Sequence, residues 1–565
     1  MKRRCLFLMC LVAGLSAPVH GQLFGGNDFQ VNTFTPGNQY RPRITGDSNG
    51  RFVVVWAHGP ELAGDPGSIF ARRFSTTASP IGTEFQINTV TALPYGGLDV
   101  ASQQDGDFVV AWTTIPGVDV VARRFASDGN PLGVEFLVNT STVLNDASPS
   151  TATDANGNFV IAWRRVATGG DPAEVFGRRF TSGGGAVGDE FQVNSHTLGE
   201  QRVPDVARDA EGDSVVVWES VGQDGDLSGV FGRRFASDGS ALGTEFQVNG
   251  FTIGTQRDPQ VASGPAGDFM VVWAGSGDSG AGFFGRLYST SGAAIGDDFL
   301  IGAATPSFGG PSVARGENGE FVVVWNDYYT VTILNMQFPA SNVFGRRFSS
   351  TGVAASDEFR VNNHTPNIQG TPGVASGTAA AFAVVWISEV QDGDDFGVFG
   401  RRLSFLCPAA PVPSGCRAPG KSLLLLDVEK DKLIWKWLRG AETQIADLGD
   451  PTLDTPYALC VYDASGLQFA ADVGAGANWS AAGSSGFKYK DSTLAQHGIR
   501  LIRLKSGAAG SAKAIVKGKG AELPDPTLPL TLPVKVQLLN GDGECWESEY
   551  TSATDSSVDR FKAKF

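Results

Sequence analysis

Acidic residues recur in the loops that follow a repeated tryptophan, and they are the first candidates for chemistry. Asp224 and Asp226 sit in QDGD at 223–226, and Asp392 and Asp394 in QDGDD at 391–395. Asp65, Asp171 and Asp278 fall at related points. Carboxylates and carbonyls on a glycine-bent loop suit Ca²⁺, a hard cation that takes about six to eight oxygens. These loops lack the full D-x-D-x-D-G…E ligand set, so solvated turn acids are the plain alternative. A second group is Gln39, Gln201, Gln256 and Gln369, often three residues before a proline. Amides and acids around one rim offer hydrogen bonds to sugar hydroxyls, although that pattern is generic.

Other motifs weigh less. Residues 415–422, GCRAPGKS, fit GxxxxGK[ST], but a phosphate loop must follow a strand and open a helix. Here a proline-rich stretch precedes and an apolar strand-like run follows. GDSNG at 46–50 fits GxSxG yet lies in a hairpin signal rather than a strand-to-helix elbow. GDSG at 277–280 resembles a serine-protease nucleophile loop. His58, His196, His364 and His497 come from unrelated positions, so no triad assembles and no metal-ligand spacing appears.

The elements that must position these residues repeat seven times. A strand ending in Trp occurs as FVVVW (52–56), FVVAW (108–112), FVIAW (159–163), SVVVW (214–218), FMVVW (269–273), FVVVW (321–325) and FAVVW (382–386). The Trp spacings are 56, 51, 55, 55, 52 and 61; the last is long because an apolar insertion, DYYTVTILNMQFPASN, occupies 327–342. That insertion is either a contact surface or a local hairpin on its own sheet. After each Trp strand come an FGRRF-like strand and an EFQVN-like strand, and a PxVA-like run precedes it. Four short strands per unit, repeated, are the signature of a β-propeller.

The phase of the copies sets the closure. The array opens with an unpartnered fourth strand, DFQVN at 28–32, and ends on FGRRL at 399–403 with no fourth strand after it. A closed ring docks the first segment beside the last. Runs such as FVVVW are apolar at every position, as befits sheets covered on both faces. Each Trp is therefore expected to pack between sheets. The paired arginines, as at Arg233-Arg234 and Arg346-Arg347, recur in nearly every unit. They are expected to be scaffold, pairing with the Glu of EFQVN or stacking on Trp. Asn-Gly and Asp-Gly turns join first to second and third to fourth strands, so they share one face. The longer connections share the other face, where a site is expected.

The remaining sequence sets class and compartment. Lys2, Arg3 and Arg4 precede a short apolar run, which reads as a secretory signal over 1–21. The propeller is expected over 22–406 and a Pro-rich linker over 407–420. Ten strand-like runs over 421–565 predict an antiparallel β-sandwich. Cys407, Cys416, Cys460 and Cys545 predict two disulfides with three possible pairings; Cys407–Cys416 and Cys460–Cys545 are favoured. Past residue 407 the chain holds 18 basic and 18 acidic residues; before it, leader excluded, 23 and 41. So acidic a repeat region argues against nucleic acid.

The pattern GDFVVVW…QDGD…GVFGRRF…SDG…LGxEFQVN covers nearly all of 28–403. It resembles repeats of large secreted and surface-attached bacterial proteins. The resemblance implies an extracellular, cell-surface or periplasmic location and adhesion or carbohydrate contact, and it transfers no catalytic residue. The resulting expectation is a secreted, monomeric, non-enzymatic binding or adhesion protein. Its glycan or protein ligand would lie on the face bearing the loops after the Trp strands, with no transmembrane segment. The alternative is a polysaccharide-acting hydrolase or lyase, which needs two carboxylates about 5–10 Å apart.

Overall fold

The computed structural model describes residues 28–59, 67–76, 78–89, 97–114, 118–141, 145–166, 172–277, 280–303, 310–316, 319–333, 336–356, 358–377, 381–404, 406–407, 411–453, 455–476, 478–492, 494, 497–520, 523–524, 526 and 528–565. The expected signal over 1–21 lies outside them. The protein is all-β; among the described residues the only helical segments are two 3₁₀ turns, Ala446–Leu448 and Gly483–Ser485.

Seven four-stranded antiparallel sheets span Phe29 to Ser404. Their inner strands are Gln39–Gly46, Leu98–Ser102, Asn145–Thr153, Gln201–Arg208, Arg257–Ser263, Ser312–Arg315 and Gln369–Ser376. Each lies against the next, and the last lies against the first, giving a closed, propeller-like ring. The closing sheet takes its outer strand from the start of the chain: Phe29 pairs with Gly400 and Gln30 with Phe399. The insertion at 327–342 is the end of a long hairpin, Phe321–Ile333 paired with Met336–Phe348.

The apolar second strands are buried on both faces because each is sandwiched. Phe108, Val110 and Trp112 share a core with Val53 and Val55 of the first sheet. Val109 and Ala111, on the opposite face, share one with Phe159, Ile161 and Trp163 of the third. All seven tryptophans are fully buried. Truncating one to alanine is expected to cost about 3–5 kcal/mol.

Polar side chains seal the seams between sheets. The first arginine of each third strand donates through Nη1 to a main-chain carbonyl of the preceding sheet's outer strand. The first sheet's Arg72 reaches Val31, the third's Arg178 reaches Val138 (2.9 Å), and the last sheet's Arg401 reaches Val361. Arg123, Arg233, Arg286 and Arg346 do the same. In five of the sheets the guanidinium also stacks on the Phe that ends its own strand, as Arg178 does on Phe180. The expected Glu partner is mostly engaged elsewhere. Glu84 accepts from the Thr33 amide and Glu245 from the Ser195 amide, each across a seam. The Asn of EFQVN turns inward, accepting from the third strand: Val398 N–H to Asn32 Oδ1 at 2.8 Å, Ile69 to Asn88 at 2.8 Å.

The C-terminal part packs two sheets face to face. The larger has eight strands in the order Trp479–Ala481, Gly486–Lys490, Ile499–Lys505, Ala512–Lys519, Lys432–Gly440, Lys421–Asp427, Arg560–Lys564, Asp555–Ser556. The smaller runs Gly466–Val473, Tyr457–Asp463, Val534–Asn540, Cys545–Tyr550. Trp435 and Trp437 of one meet Tyr457 and Trp546 of the other in a common core. All ten expected runs are strands.

The disulfide pairing differs from the expected one. The bonds are Cys407–Cys460 and Cys416–Cys545, not Cys407–Cys416 and Cys460–Cys545. Val534–Asn540 lies between the strands carrying Cys460 and Cys545, which keeps those two apart. The linker runs over that sheet instead, with Val412 N–H on Gln537 Oε1 and Arg417 N–H on the Cys545 carbonyl. Each linker cysteine thus meets the strand beneath it.

If the ring is closed, Asn32 and Asn88 do equal jobs. N32A and N88A should each lose about 1–3 kcal/mol in urea unfolding, the cost of stranding a buried amide. An N32A variant as stable as the parent, beside a destabilised N88A, would show that the closing strand carries no load.

Candidate functional site

The four glutamines do not line a rim. Gln39, Gln201, Gln256 and Gln369 are all completely buried. Trp218 Nε1–H donates to Gln201 Oε1 at 2.9 Å and Trp386 Nε1–H to Gln369 Oε1 at 3.1 Å. Gln39 and Gln256 accept from Asn32 and Asn249 and donate to loop carbonyls. A buried indole N–H needs an acceptor, and these glutamines supply it inside the sheet stack. In the third sheet the equivalent position is Asp146, which pairs with Arg165 at 2.8 Å beside Glu190 at 2.6 Å. Burial opposes the charge of Arg165, but the hydrogen bonds it donates to both carboxylates outweigh that and raise the guanidinium's pKa.

The loop acids are ties rather than open ligands. Asp224 Oδ2 accepts from Asn249 and Asp226 Oδ2 from the Gly254 amide at 2.8 Å. Asp392 and Asp394 repeat this with Asn32 and Gly37. Each pair joins the loop after Trp to the loop after EFQVN, so these oxygens serve protein amides. Among the described residues no three His, Cys, Asp or Glu side chains converge as a metal site. Asp65, Asp171 and Asp278 lie outside the described residues. Ser422, in the phosphate-loop match, is buried in a strand and bonds Ser548. Ser48, in the GxSxG match, donates to the Gln104 carbonyl at 2.6 Å.

A different set converges on the ring axis. In every sheet one residue of the inner strand pairs with the residue just before the buried Trp of the second strand. Taken in order these residues are Arg43, Asp99, Ser150, Asp205, Gln260, Ser312 and Gly373. Where this side chain accepts, it caps an inward-facing amide of the next sheet. Asp99 takes Thr151 N–H (2.7 Å), Ser150 takes Val206 (3.2 Å), Asp205 takes Val261 (2.7 Å) and Ser312 takes Val374 (3.2 Å). Ser150 also donates to Asp205 Oδ1 at 2.8 Å. Asp99 and Asp205, two sheets apart, are thus both anchored on the Ser150-Thr151 dipeptide.

Electrostatics confirm the convergence. Burial pushes the Asp99 carboxyl up to about 7; Arg43 opposes the rise and Asp205 adds to it. Burial likewise lifts Asp205 to about 6, against the amide of Val261, Ser150 and Arg43. Residues of the first, second and fourth sheets feel one another only because they share the axial space. Two coupled carboxyls with separated pKa values are what acid–base pairs require.

The axis opens on a cavity of about 420 Å³ lined by first-to-second-strand turns of six sheets, with Thr45, Ser48, Ser102, Gln104, Thr153 and Ser263 among its residues. This mouth lies on the tight-turn face, opposite the face where the sequence placed the site. Thr45 stands two residues beyond Arg43 on the same strand, so the acids lie roughly 7–10 Å inside the mouth at about 3.3 Å per residue. The one sequence signal for the set was the variable second position of the PxVA-like runs, whose second copy, Leu98-Asp99-Val100-Ala101, lacks the Pro.

No family model and no curated protein matches the sequence. Among solved structures, the chain is similar to a protein of unknown function from Dyadobacter fermentans, with TM-score 0.40 and 13% identity over 67% of this chain and 98% of that one. It is similar to the GH93 α-L-arabinofuranosidase of Fusarium graminearum solved with arabinobiose, with TM-score 0.38 and 9% identity over 67% and 98%. A third likeness is to polysaccharide lyase Uly1, with TM-score 0.39 and 9% identity over 69% and 100%. Likenesses this loose carry no conclusion about this chain's chemistry.

Raised carboxyl pKa values stabilise the fold only while the groups are protonated. Their contribution is complete below about pH 4 and is lost as pH rises through 6 and 7. Thermal unfolding should therefore show D99N and D205N losing less Tm than the parent between pH 5 and pH 8, by a few degrees. Parallel pH curves would refute the burial of these charges.

Proposed function

We propose that this is an exported glycan-acting enzyme, a hydrolase or lyase, whose reacting pair is Asp99 and Asp205. The architecture is read as a seven-bladed propeller over 22–406, a linker over 407–420 and an accessory β-sandwich over 421–565, secreted behind a 1–21 signal and monomeric. Two disulfides are compatible with an extracellular site, as is the finding that no helix among the described residues is long and apolar enough to cross a membrane.

The observation that carries this reading is the carboxyl pair on the axis with pKa values near 7 and 6. Burial raises both carboxyls, and Asp205 adds to the rise at Asp99, so Asp99 is assigned the proton and Asp205 the charge. Asp99 then donates a proton to a departing glycosidic oxygen, while Asp205 acts as base or nucleophile. Arg43 beside them favours the ionised form of either acid. Hydroxyl and amide groups at the mouth, with no aromatic among those that line it, suit a polar sugar chain. Entry along an axis admits a chain end more readily than a chain middle, so short products are expected.

The test is release of reducing ends, or of ultraviolet-absorbing unsaturated ends for elimination, from a panel of neutral and acidic polysaccharides. Activity should peak at pH 6–7 with limbs near the two pKa values, and D99N and D205N should each lose about 10²-fold or more. Activity untouched by both substitutions would overturn the assignment. Binding without turnover would return the protein to the adhesion class.

A further inference from the structure

We infer that the outer face of the larger C-terminal sheet is a docking surface for an acidic polysaccharide, a polymer bearing regularly spaced carboxylate or sulfate groups. This surface is separate from the axial acids and does not rest on their assignment.

Strand alternation sends Tyr489, Ile502, Leu504, Ala514, Val516 and Trp435 into the shared core. The alternate positions face away from it, and there the sheet is basic. Across four consecutive strands, like charges stand directly opposite one another: Lys488 against Arg503, Lys505 against Lys513, and Lys519 against Lys432. Among the described residues none of these six side chains forms an ion pair, although the domain is charge-neutral overall. Lys436 and Lys517 occupy the middle of the same face, in register with Ile515 and Ile434.

Directly opposed like charges destabilise a sheet. Lys432 also stands opposite Asp427, but Lys488–Arg503 and Lys505–Lys513 have no acid opposite them, and a ligand of opposite sign relieves that repulsion. The lattice of charge is about 15 Å across, from the usual strand spacing. That flatness and regularity fit an extended polyanion. The apolar residues between the lysines, Ile434, Leu501 and Ile515, are half-buried rather than protruding, so nothing is offered for insertion into lipid. The outward positions named carry no aromatic ring, so no platform stacks bases.

The test measures binding of the full chain to immobilised heparin and polygalacturonate, with dextran, duplex DNA and phosphatidylglycerol vesicles as comparisons, at 50 and 300 mM salt (about a 2.4-fold change in Debye length). Binding to the acidic glycans, weakened by salt and absent with dextran, is expected. The double variant K505E/R503E should lose about ten-fold or more in affinity. The swaps should also hold or raise Tm, because the carboxylate introduced in place of Lys505 would then face Lys513; this confirms that lost binding is not lost folding. No binding to either acidic glycan, binding indifferent to the swaps, or tighter binding to DNA or vesicles would each overturn the proposal.

Discussion

The ring stands on one repeated contact: an arginine that reaches backward across each seam to a carbonyl on the neighbouring sheet's outer strand. It is present at all seven seams, between 2.7 and 3.0 Å. A sheet in a ring buries its faces against its neighbours, but outer-strand polar groups at the seam still need partners. The guanidinium supplies several donors in a fixed plane, stacks in five sheets on its own strand's Phe, and leaves the apolar second strand free to pack on both sides. Glu and Asn of EFQVN complete the seam by serving other amides. Because the first sheet's Arg72 binds Val31 and the sixth sheet's Asn363 amide binds Asp28, the closing strand is held by the same contacts as every other outer strand.

Repetition of that contact also determines where chemistry can sit. Positions that recur in every sheet are committed to seams, caps or core. The point of the inner strand that faces the axis is freer, since its only repeated duty is to accept one amide. Acid, hydroxyl and amide side chains all do so in principle, and the ring uses Asp, Ser, Asp and Ser where the bond is seen. At Arg43 and Gly373 the duty is dropped. The axis therefore acquires a sided polarity, with both acids and the arginine contributed by sheets one, two and four.

Much of the architecture was legible because it is written in period. Seven Trp strands, the phase shift of DFQVN and the Gly turns specify seven sheets and their closing pair before any coordinate is seen. The glutamines were misread because proximity to a proline turn looks like exposure, whereas the buried indole of Trp218 or Trp386 is what their amides serve. The loop aspartates looked like ligands because spacing does not reveal that Gly37 and Gly254 amides already occupy their oxygens. The disulfides were misjudged because strand order, with Val534–Asn540 between the two sandwich cysteines, is not visible in spacing. Asp99 and Asp205 hid in the least conspicuous run of the repeat, 106 residues apart.

Charge is sorted within the chain in a way that composition conceals. The C-terminal part is neutral by count, yet its acids lie mostly on turns and on the smaller sheet, as with Glu547 and Glu549 beside Lys535. Its lysines are gathered on the outer face of the larger sheet. The sheet facing the linker is pinned by Cys460 and Cys545, so the basic face is the one left to solvent. An acidic ring and a basic accessory face make opposite demands on an anionic polymer. Long-range repulsion opposes the approach of such a chain to the ring's flanks, whereas the basic sheet attracts it. The axial acids and the basic sheet are thereby two separate surfaces, and neither uses the residues that hold the seams of the ring.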